Sequence, residues 1–447
     1  MWCTFIVPSF IAVTTAVLLL YSDGKMVLWH MEQFCSLDEP SLSIHNQTIH
    51  PCVVFSDTLE QSSLKFQQAV KIAQHKFPEI ELHRLPVVVR PVQDSSTSKD
   101  ESYAMDVAII PGTLPGQVIH TAGTHGVEGY AGAAIQLTFL QLLLLQQEAE
   151  ARPTVILVHA VNPYGMKHYR RANEHNVDLN RNGIPDGTVW PILRERHFNQ
   201  DNYDRFAAYL FHLPGPPVPW YSLSLVFLKG LGSIARYGLL ALKTAMVAGQ
   251  YHAPEGIFYG GQQTEASLLR LREFLTEHAQ RQVVTTWIDV HTGLGPMGVD
   301  TLLVKDPSGA APLEQWFPGA QHPFANADAA TQVAKGYENA QGFLSDYFEP
   351  LLEHSWVVTQ EFGTIPSMLV GIALFLENAA YQYLPEAEAS EWAKCTTKRA
   401  FYPQSRVWRE SVIRRGIAVL DQAMRRSTVL SKELQHKTQQ EAMQSDS

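Results

Sequence analysis

Residues 117–132 read QVIHTAGTHGVEGYAG, and two histidine-bearing stretches elsewhere share their logic. An apolar run from Gln117 to Thr121 has the composition of a buried strand. It ends in a glycine-rich turn, after which His125 and Glu128 stand three residues apart. Positions i and i+3 of a helical turn lie on one side, so an imidazole and a carboxylate at this spacing reach one cation, and that donor pair suits Zn2+. The spacing alone is weak evidence in a chain with 18 histidines, and His252 and Glu255 repeat it. Context separates the two. His125 leaves a strand at its carboxyl end, where open α/β sheets form their sites. His252 follows no strand and Pro254 marks a loop, so a structural or rim role is expected there.

Zinc in a hydrolase needs a third protein ligand and an open position. His291 in the run WIDVHTG (287–293) ends another apolar strand before glycines and is the best candidate. Asp289 lies two residues earlier on the same strand face, placed to orient a ligand or cap a turn. Residues 170–182, RRANEHNVDLNRN, concentrate three arginines in an acidic chain. Arginine pairs bidentately with carboxylates and asparagine adds a neutral donor, so Asn180 and Arg181 read as a carboxylate clamp. Arg170 is accepted as a surface salt-bridge residue. Asp178 suits an acceptor for a ligating histidine. Glu361 in TQEFGT (359–364) follows a β-rich run and suits a general base and acid beside the cation.

Strand-like runs at 85–92, 106–111, 117–121, 154–161, 283–290 and 355–359 alternate with helical ones at 63–76 and 129–147. That alternation predicts one large α/β domain. The 447 residues are 45% hydrophobic and 17% charged, enough apolar material for a large core. A net charge of −10 argues against a nucleic-acid partner, which would need clustered positive charge. Four cysteines without a CxxC exclude a disulfide scaffold or a zinc ribbon.

Residues 2–21 carry no charge and are about long enough to cross a bilayer core of roughly 30 Å. Residues 1–24 are therefore expected to form a membrane anchor. The alternatives are a signal peptide with a secreted product, or a cytoplasmic protein starting at Met26 or Met31. Residues 25–54 are expected to be a linker. The sequon at Asn46 and a possible Cys35–Cys52 pair favour an oxidising compartment. Within the domain, 213–249 is an apolar insertion whose Lys229, Arg236 and Lys243 recur every seven residues. That period predicts one cationic helix face, with the apolar side packed on the domain or, as the lesser alternative, lying on a membrane surface. Residues 426–447 are expected to be a polar tail, frayed from about Lys437.

Together these motifs resemble the M14-type zinc carboxypeptidase superfamily, with the pieces in its order, and within it the DUF2817 family. The matching stretches are FSDTLEQSSLKFQQA (55–69), HGVEGYAGAAIQ (125–136), HAVNPYGMKHYRRANEHNVDLNRNG (159–183), GQYHAPEGIFYGG (249–261), DVHTGLGPMG (289–298) and QEFGT (360–364). They cover residues 55–425. The succinylglutamate desuccinylase and aspartoacylase group is similar in its zinc core. The resemblance implies a three-layer α/β fold with a mixed, mostly parallel sheet of about eight strands between helices. It implies His125, Glu128 and His291 as zinc ligands and Glu361 as general base and acid. It implies Arg171 as oxyanion stabiliser, Asn180 and Arg181 as binders of a terminal carboxylate, and Asp178 as partner of the first histidine. The tyrosine such peptidases carry ahead of the catalytic glutamate has Tyr337 as its nearest candidate, with Tyr347 as another. The expected activity is a zinc metallocarboxypeptidase acting on peptides. The alternatives are an N-acyl amino acid deacylase or a membrane-tethered protein that binds without turnover.

Overall fold

The structure is a computed structural model that describes residues 41–44, 46–88, 102–145, 151–195, 199–304, 310–319, 336–337, 340–384 and 388–445. The apolar segment at 2–21 and Cys35 lie outside the described residues; Cys52 is disulfide-bonded.

A hairpin of β1 (Leu42–Ile44) and β2 (Gln47–Ile49) turns at exposed Asn46. Seven further strands form one sheet: β3 (Glu81–Val88), β4 (Ser102–Ile110), β5 (Gln117–Ala122), β6 (Thr154–His159), β7 (Val284–Gly293), β8 (Asp300–Leu303) and β9 (His354–Gly363). Their spatial order is β3-β4-β6-β5-β7-β9-β8. The four central strands β6, β5, β7 and β9 are parallel, and β4 and β8 oppose their neighbours. The fold is α/β with a mixed sheet whose centre is parallel. β8 carried no clear signal, because four residues are too few to show a period.

Side chains alternate across the sheet. Val118, Val155, Leu157, Ile288 and Val290 pack on one face against helices α1 (Leu59–Lys76), α2 (Gly129–Leu145) and a long C-terminal helix. Ile119, Ile156, Val158 and Trp287 face the other way. There they meet a helix at Ala266–His278 through Leu268, Leu271 and Phe274. α2 is apolar on all sides, as a helix buried in a core must be. With the turn that precedes it, over Gly126–Leu145, it is the one unbroken helical stretch among the described residues long and apolar enough to cross a membrane, and 83% of its apolar window is buried in the protein.

A separate apolar cluster joins the loop after β5, through Val127, to α3 (Pro219–Tyr237), α4 (Leu239–Val247), α5 (Ser367–Tyr383) and α6 (Glu388–Phe401). The expected single cationic face over 213–249 does not form. Gly238, at φ 86°, ends α3, and α4 departs at 111°. A residue with a Cβ is strained at that φ, whereas glycine adopts it freely. Lys229 and Arg236 instead lie over the rings of Tyr209 and Tyr237, and Lys243 turns toward Tyr337.

Two expected boundaries also move. The described part of the 25–54 stretch is folded rather than free, since Leu42, Ile44, Ile49 and Val54 are buried in the main core. The C-terminal helix α7 runs from Arg406 to Ser445. Its Ser427 Oγ meets Thr286 Oγ1 at 2.7 Å, and Ser431 Oγ accepts from Val284 N–H at 2.9 Å. Small polar residues that read as tail composition are therefore partners of the sheet.

Arg170 pairs with a carboxylate, but in the interior rather than on the surface. It is 1% exposed, donates from Nε to Glu377 Oε1 at 2.5 Å and stacks on Tyr381. This pair ties the loop after β6 to α5. Removing one partner strands the other charge in the interior, which costs about 3–5 kcal/mol. Urea unfolding of R170M is expected to show that loss, with most of it recovered in R170M/E377L, where neither charge remains.

Candidate metal centre

β5, β7 and β9 deliver the site at their carboxyl ends. After β5 the chain turns through Thr124 and His125 into a short helical turn at Gly126–Glu128. A Cβ on Gly126 would lie 2.1 Å from the backbone of Gly165 and Met166, so only glycine lets this loop sit so low on its neighbour. That seating brings His125 and Glu128 back over the sheet edge. On β7, the alternation that buries Trp287 sends Asp289 and His291 to the same face. The β7–β9 register pairs His291 with Glu361, so those side chains stand side by side.

His125, Glu128 and His291 converge and are all buried. His125 Nδ1 lies 3.0 Å from Glu128 Oε1 and 3.0 Å from His291 Nδ1, and His291 Nδ1 lies 3.2 Å from Glu128 Oε2. The far side of each ring meets a second carboxylate. His125 Nε2 stands 3.1 Å from Asp178 Oδ1, and His291 Nε2 stands 2.6 Å from Asp289 Oδ2. A carboxylate accepts, so each Nε2–H donates to its aspartate, and a divalent ion would then meet the two Nδ1 lone pairs. Without one, Asp289 and Glu128 overcome burial and hold the His291 imidazolium well above the ordinary histidine range. Two lone pairs and a carboxylate facing one another repel unless positive charge lies among them. Ligand nitrogens on one tetrahedral zinc lie about 3.3 Å apart, from Zn–N distances of about 2.0–2.1 Å. The donor set and its spacing fit Zn2+. Among the described residues two other His/Glu groupings exist, Glu81–His83–His278 and Glu174–His175–Glu265, and each has an exposed member.

The supporting carboxylates are themselves held. Thr121 and Thr124 donate their hydroxyls to Asp289 Oδ1 at 2.6 and 2.8 Å. Trp287 Nε1–H donates in turn to the Thr121 hydroxyl. Asp178 accepts from Arg171 Nε and from the Asn180 backbone N–H, both at 2.9 Å. Burial opposes its charge, but Arg171 and His125 overcome that and hold it well below the usual carboxylate range. Sequence reading singled out Asp178 and named Asp289 as an orienter or a cap. It missed Thr121 and Thr124, whose only signal is their position before and within the turn.

Glu361 lies beside the triad and accepts from Leu294 N–H at 2.9 Å. Burial and the nearby Glu128 charge push its carboxyl up to about 7. Arg171 reaches toward Glu128 Oε1 at 3.4 Å and lies over the Phe258 ring. Asn180 is on the wall of the same cavity, with Oδ1 accepting from Leu344 N–H. Arg181 is placed differently from its neighbour. It is wholly buried off the cavity wall, and its guanidinium donates to the carbonyls of Val247 and Asn180. Tyr337 lines the cavity, and burial pushes its phenol up to about 12. Tyr347 is core, packed on Phe348 and Arg272. His252 is not on the cavity wall and meets Asp204 Oδ1 through Nε2 at 2.7 Å.

The model of the family described as "Protein of unknown function (DUF2817)" matches residues 55–415. The chain belongs to the DUF2817 family. No curated protein matches this DUF2817 chain. Solved structures with which it shares similarity include bovine thrombin-activatable fibrinolysis inhibitor in complex with tick carboxypeptidase inhibitor. That match has 11% identity and a TM-score of 0.40, covering 83% of this chain and 99% of the other. Carboxypeptidase A from Helicoverpa armigera matches at 14% identity and a TM-score of 0.37, covering 77% and 73%. Succinylglutamate desuccinylase/aspartoacylase from Rhodobacter sphaeroides matches at 13% and 0.29, covering 68% and 66%.

Loss of a carboxylate behind a ligating histidine weakens metal binding by about 10–100-fold. D289A is expected to lose zinc affinity by that factor in a chelator competition. An unchanged affinity would place the cation elsewhere.

Proposed function

We propose that this DUF2817 chain is a zinc-dependent hydrolase that cleaves an amide bond next to a free carboxylate. The observation that carries the reading is the pair of imidazoles whose inward Nδ1 atoms meet Glu128, with Glu361 beside them on the neighbouring strand. Zinc, when bound, polarises a carbonyl and makes a water nucleophilic near neutral pH. The remaining steps belong to the chain. Glu361, fixed by Leu294 N–H, accepts the proton of the attacking water and passes it to the leaving amine. Arg171, oriented by Asp178, supplies positive charge where the carbonyl oxygen becomes anionic. The Oδ1 of Asn180 is taken by Leu344, which leaves its Nδ2–H group to donate to the substrate carboxylate. Arg181 backs Asn180 by holding its carbonyl and adds a buried positive charge behind it. Tyr337 stays protonated and is a further donor. A metallocarboxypeptidase is the reading closest to the sequence motifs, and an N-acyl amino acid deacylase uses the same residues. Anchorage through residues 1–24 belongs to this proposal and rests on their sequence.

The test is the zinc-loaded full chain with peptides and N-acyl amino acids. E361Q is expected to keep its zinc and lose at least about a thousandfold in kcat, since general acid–base catalysis contributes about 10²–10⁴. Wild type and E361Q that are equally silent on the whole panel would favour a protein that binds without turnover. Replacing the substrate carboxylate by an amide is expected to lower kcat/KM at least about tenfold, through lost charge-assisted bonds.

The pH profile gives a second check. Glu361 must be ionised to act as base, and its carboxyl is raised to about 7. Activity therefore falls as pH drops through its value. Positive charge at the triad draws that value downward, so the acidic limb of kcat/KM is expected no higher than about pH 7. A limb well above that would assign the base to another group.

A further inference from the structure

The triad opens into a cavity of about 1130 Å3. Drug-sized ligands occupy roughly 300–1,000 Å3, so this space exceeds what one amino-acid side chain needs. His125, His291, Glu361, Arg171 and Asn180 stand together at the metal end. Asp289, Thr292, Ser345, Thr359 and Tyr337 are the other polar side chains that the wall takes from outside the helices α3, α4 and α5. The rest is built largely by α3, α4 and α5, which present Val226, Ile234, Leu242, Met246, Ile372 and Phe375. Of the side chains those three helices add to the wall, Lys243 and Ser367 are the polar ones, and Lys243 sits over the Tyr337 ring at the polar end. Backbone N–H and C=O groups inside helices are already paired, so the three helices offer this wall free N–H groups only in their first turns, at Leu239, Leu240, Ser367 and Met368. A peptide threaded here would leave most of its own amides without partners, at the cost of burying unsatisfied polar groups. A hydrocarbon chain has no such groups to satisfy. Leu239 and Leu240 line the same space yet are 59% and 53% exposed, so the mouth is apolar as well.

We propose that this cavity houses a long aliphatic acyl chain, so that the substrate is an N-long-chain-acyl amino acid. The inference rests on the hydrolase reading above and names its substrate class. The headgroup carboxylate lies by Asn180 and Arg171, the amide at the triad and the tail among α3, α4 and α5. Hydrolysis breaks the amide C–N bond. The water oxygen goes to the acyl carbon, giving a fatty acid, and its proton passes through Glu361 to the amine of the released amino acid.

Two measurements on the zinc-loaded full chain test this. The first is kcat/KM for one amino acid carrying acetyl, octanoyl, dodecanoyl and hexadecanoyl groups, beside acetylated tripeptides. A rise of at least tenfold from acetyl to dodecanoyl, with the peptides below, is expected. Cleavage that is flat with chain length, or best on peptides, overturns the acyl-chain inference and leaves the hydrolase reading standing. The second is the Kd of hexadecanoyl amino acid for E361Q, which separates binding from turnover. It is expected to be at least tenfold tighter than for the octanoyl compound, and equal values overturn the inference even if nothing is cleaved. G371L and G230L fill the space. A Cβ at these glycines meets nothing nearer than 3.8 and 3.5 Å, so a larger side chain enters without a backbone clash. Each is expected to move the preferred chain length shorter and to weaken hexadecanoyl binding at least tenfold, and an unmoved preference in both counts against the tail's assigned place.

Discussion

Two imidazoles bring their Nδ1 atoms within 3.0 Å of each other beside the Glu128 carboxylate, and a cluster so built needs positive charge at its centre, a proton or a cation. The rest of the site follows from that constraint. Asp178 and Asp289 meet the outer Nε2 atoms, which orients both rings and leaves the inner Nδ1 faces for a cation. Holding two carboxylates without water requires donors, and these come from Thr121, Thr124, Arg171 and the Asn180 N–H. Such a network is worth its burial only when each member has its partner.

The sheet supplies the precision that flexible loops lack. His291 and Glu361 are neighbours because β7 and β9 pair in one register, and a slip of one residue would turn Glu361 toward α2 and α7 on the opposite face. The candidate ligands and Glu361 are thus tied to the same core contacts that hold Trp287 and Val358 in place. The candidate site sits at the sheet edge, and the helices α3, α4 and α5 stand over it. α3 and α4 come from the insertion at 213–249, and with α5 they turn an open sheet edge into an apolar chamber.

Much of the lower layer was legible in the chain. The apolar runs before His125 and His291 were buried strands, because parallel strands covered on both faces read as near-continuous apolar runs rich in β-branched residues. The i, i+3 spacing of His125 and Glu128 pointed to a shared cation, and Asp178 to a histidine partner. Residues whose meaning depends on a distant neighbour were harder to read. Arg170 and Arg181 carry the same charge as Arg171, yet Arg170 is locked to Glu377 and Arg181 to backbone carbonyls. The seven-residue recurrence of Lys229, Arg236 and Lys243 looked like one face until Gly238 broke the helix between them. Ser427 and Ser431 looked like tail because hydroxyls that pair with a strand and hydroxyls that meet water have the same local composition.

The sequence by itself determined the α/β class and the family, and it nominated the residues able to grip a divalent ion, because periodicity and donor chemistry are local properties. Only the tertiary structure decided which arginine faces the cavity, which threonines steady Asp289, and that a large apolar chamber adjoins the triad. Those are properties of surfaces brought together from far apart in the chain, where burial and pairing depend on what each residue meets.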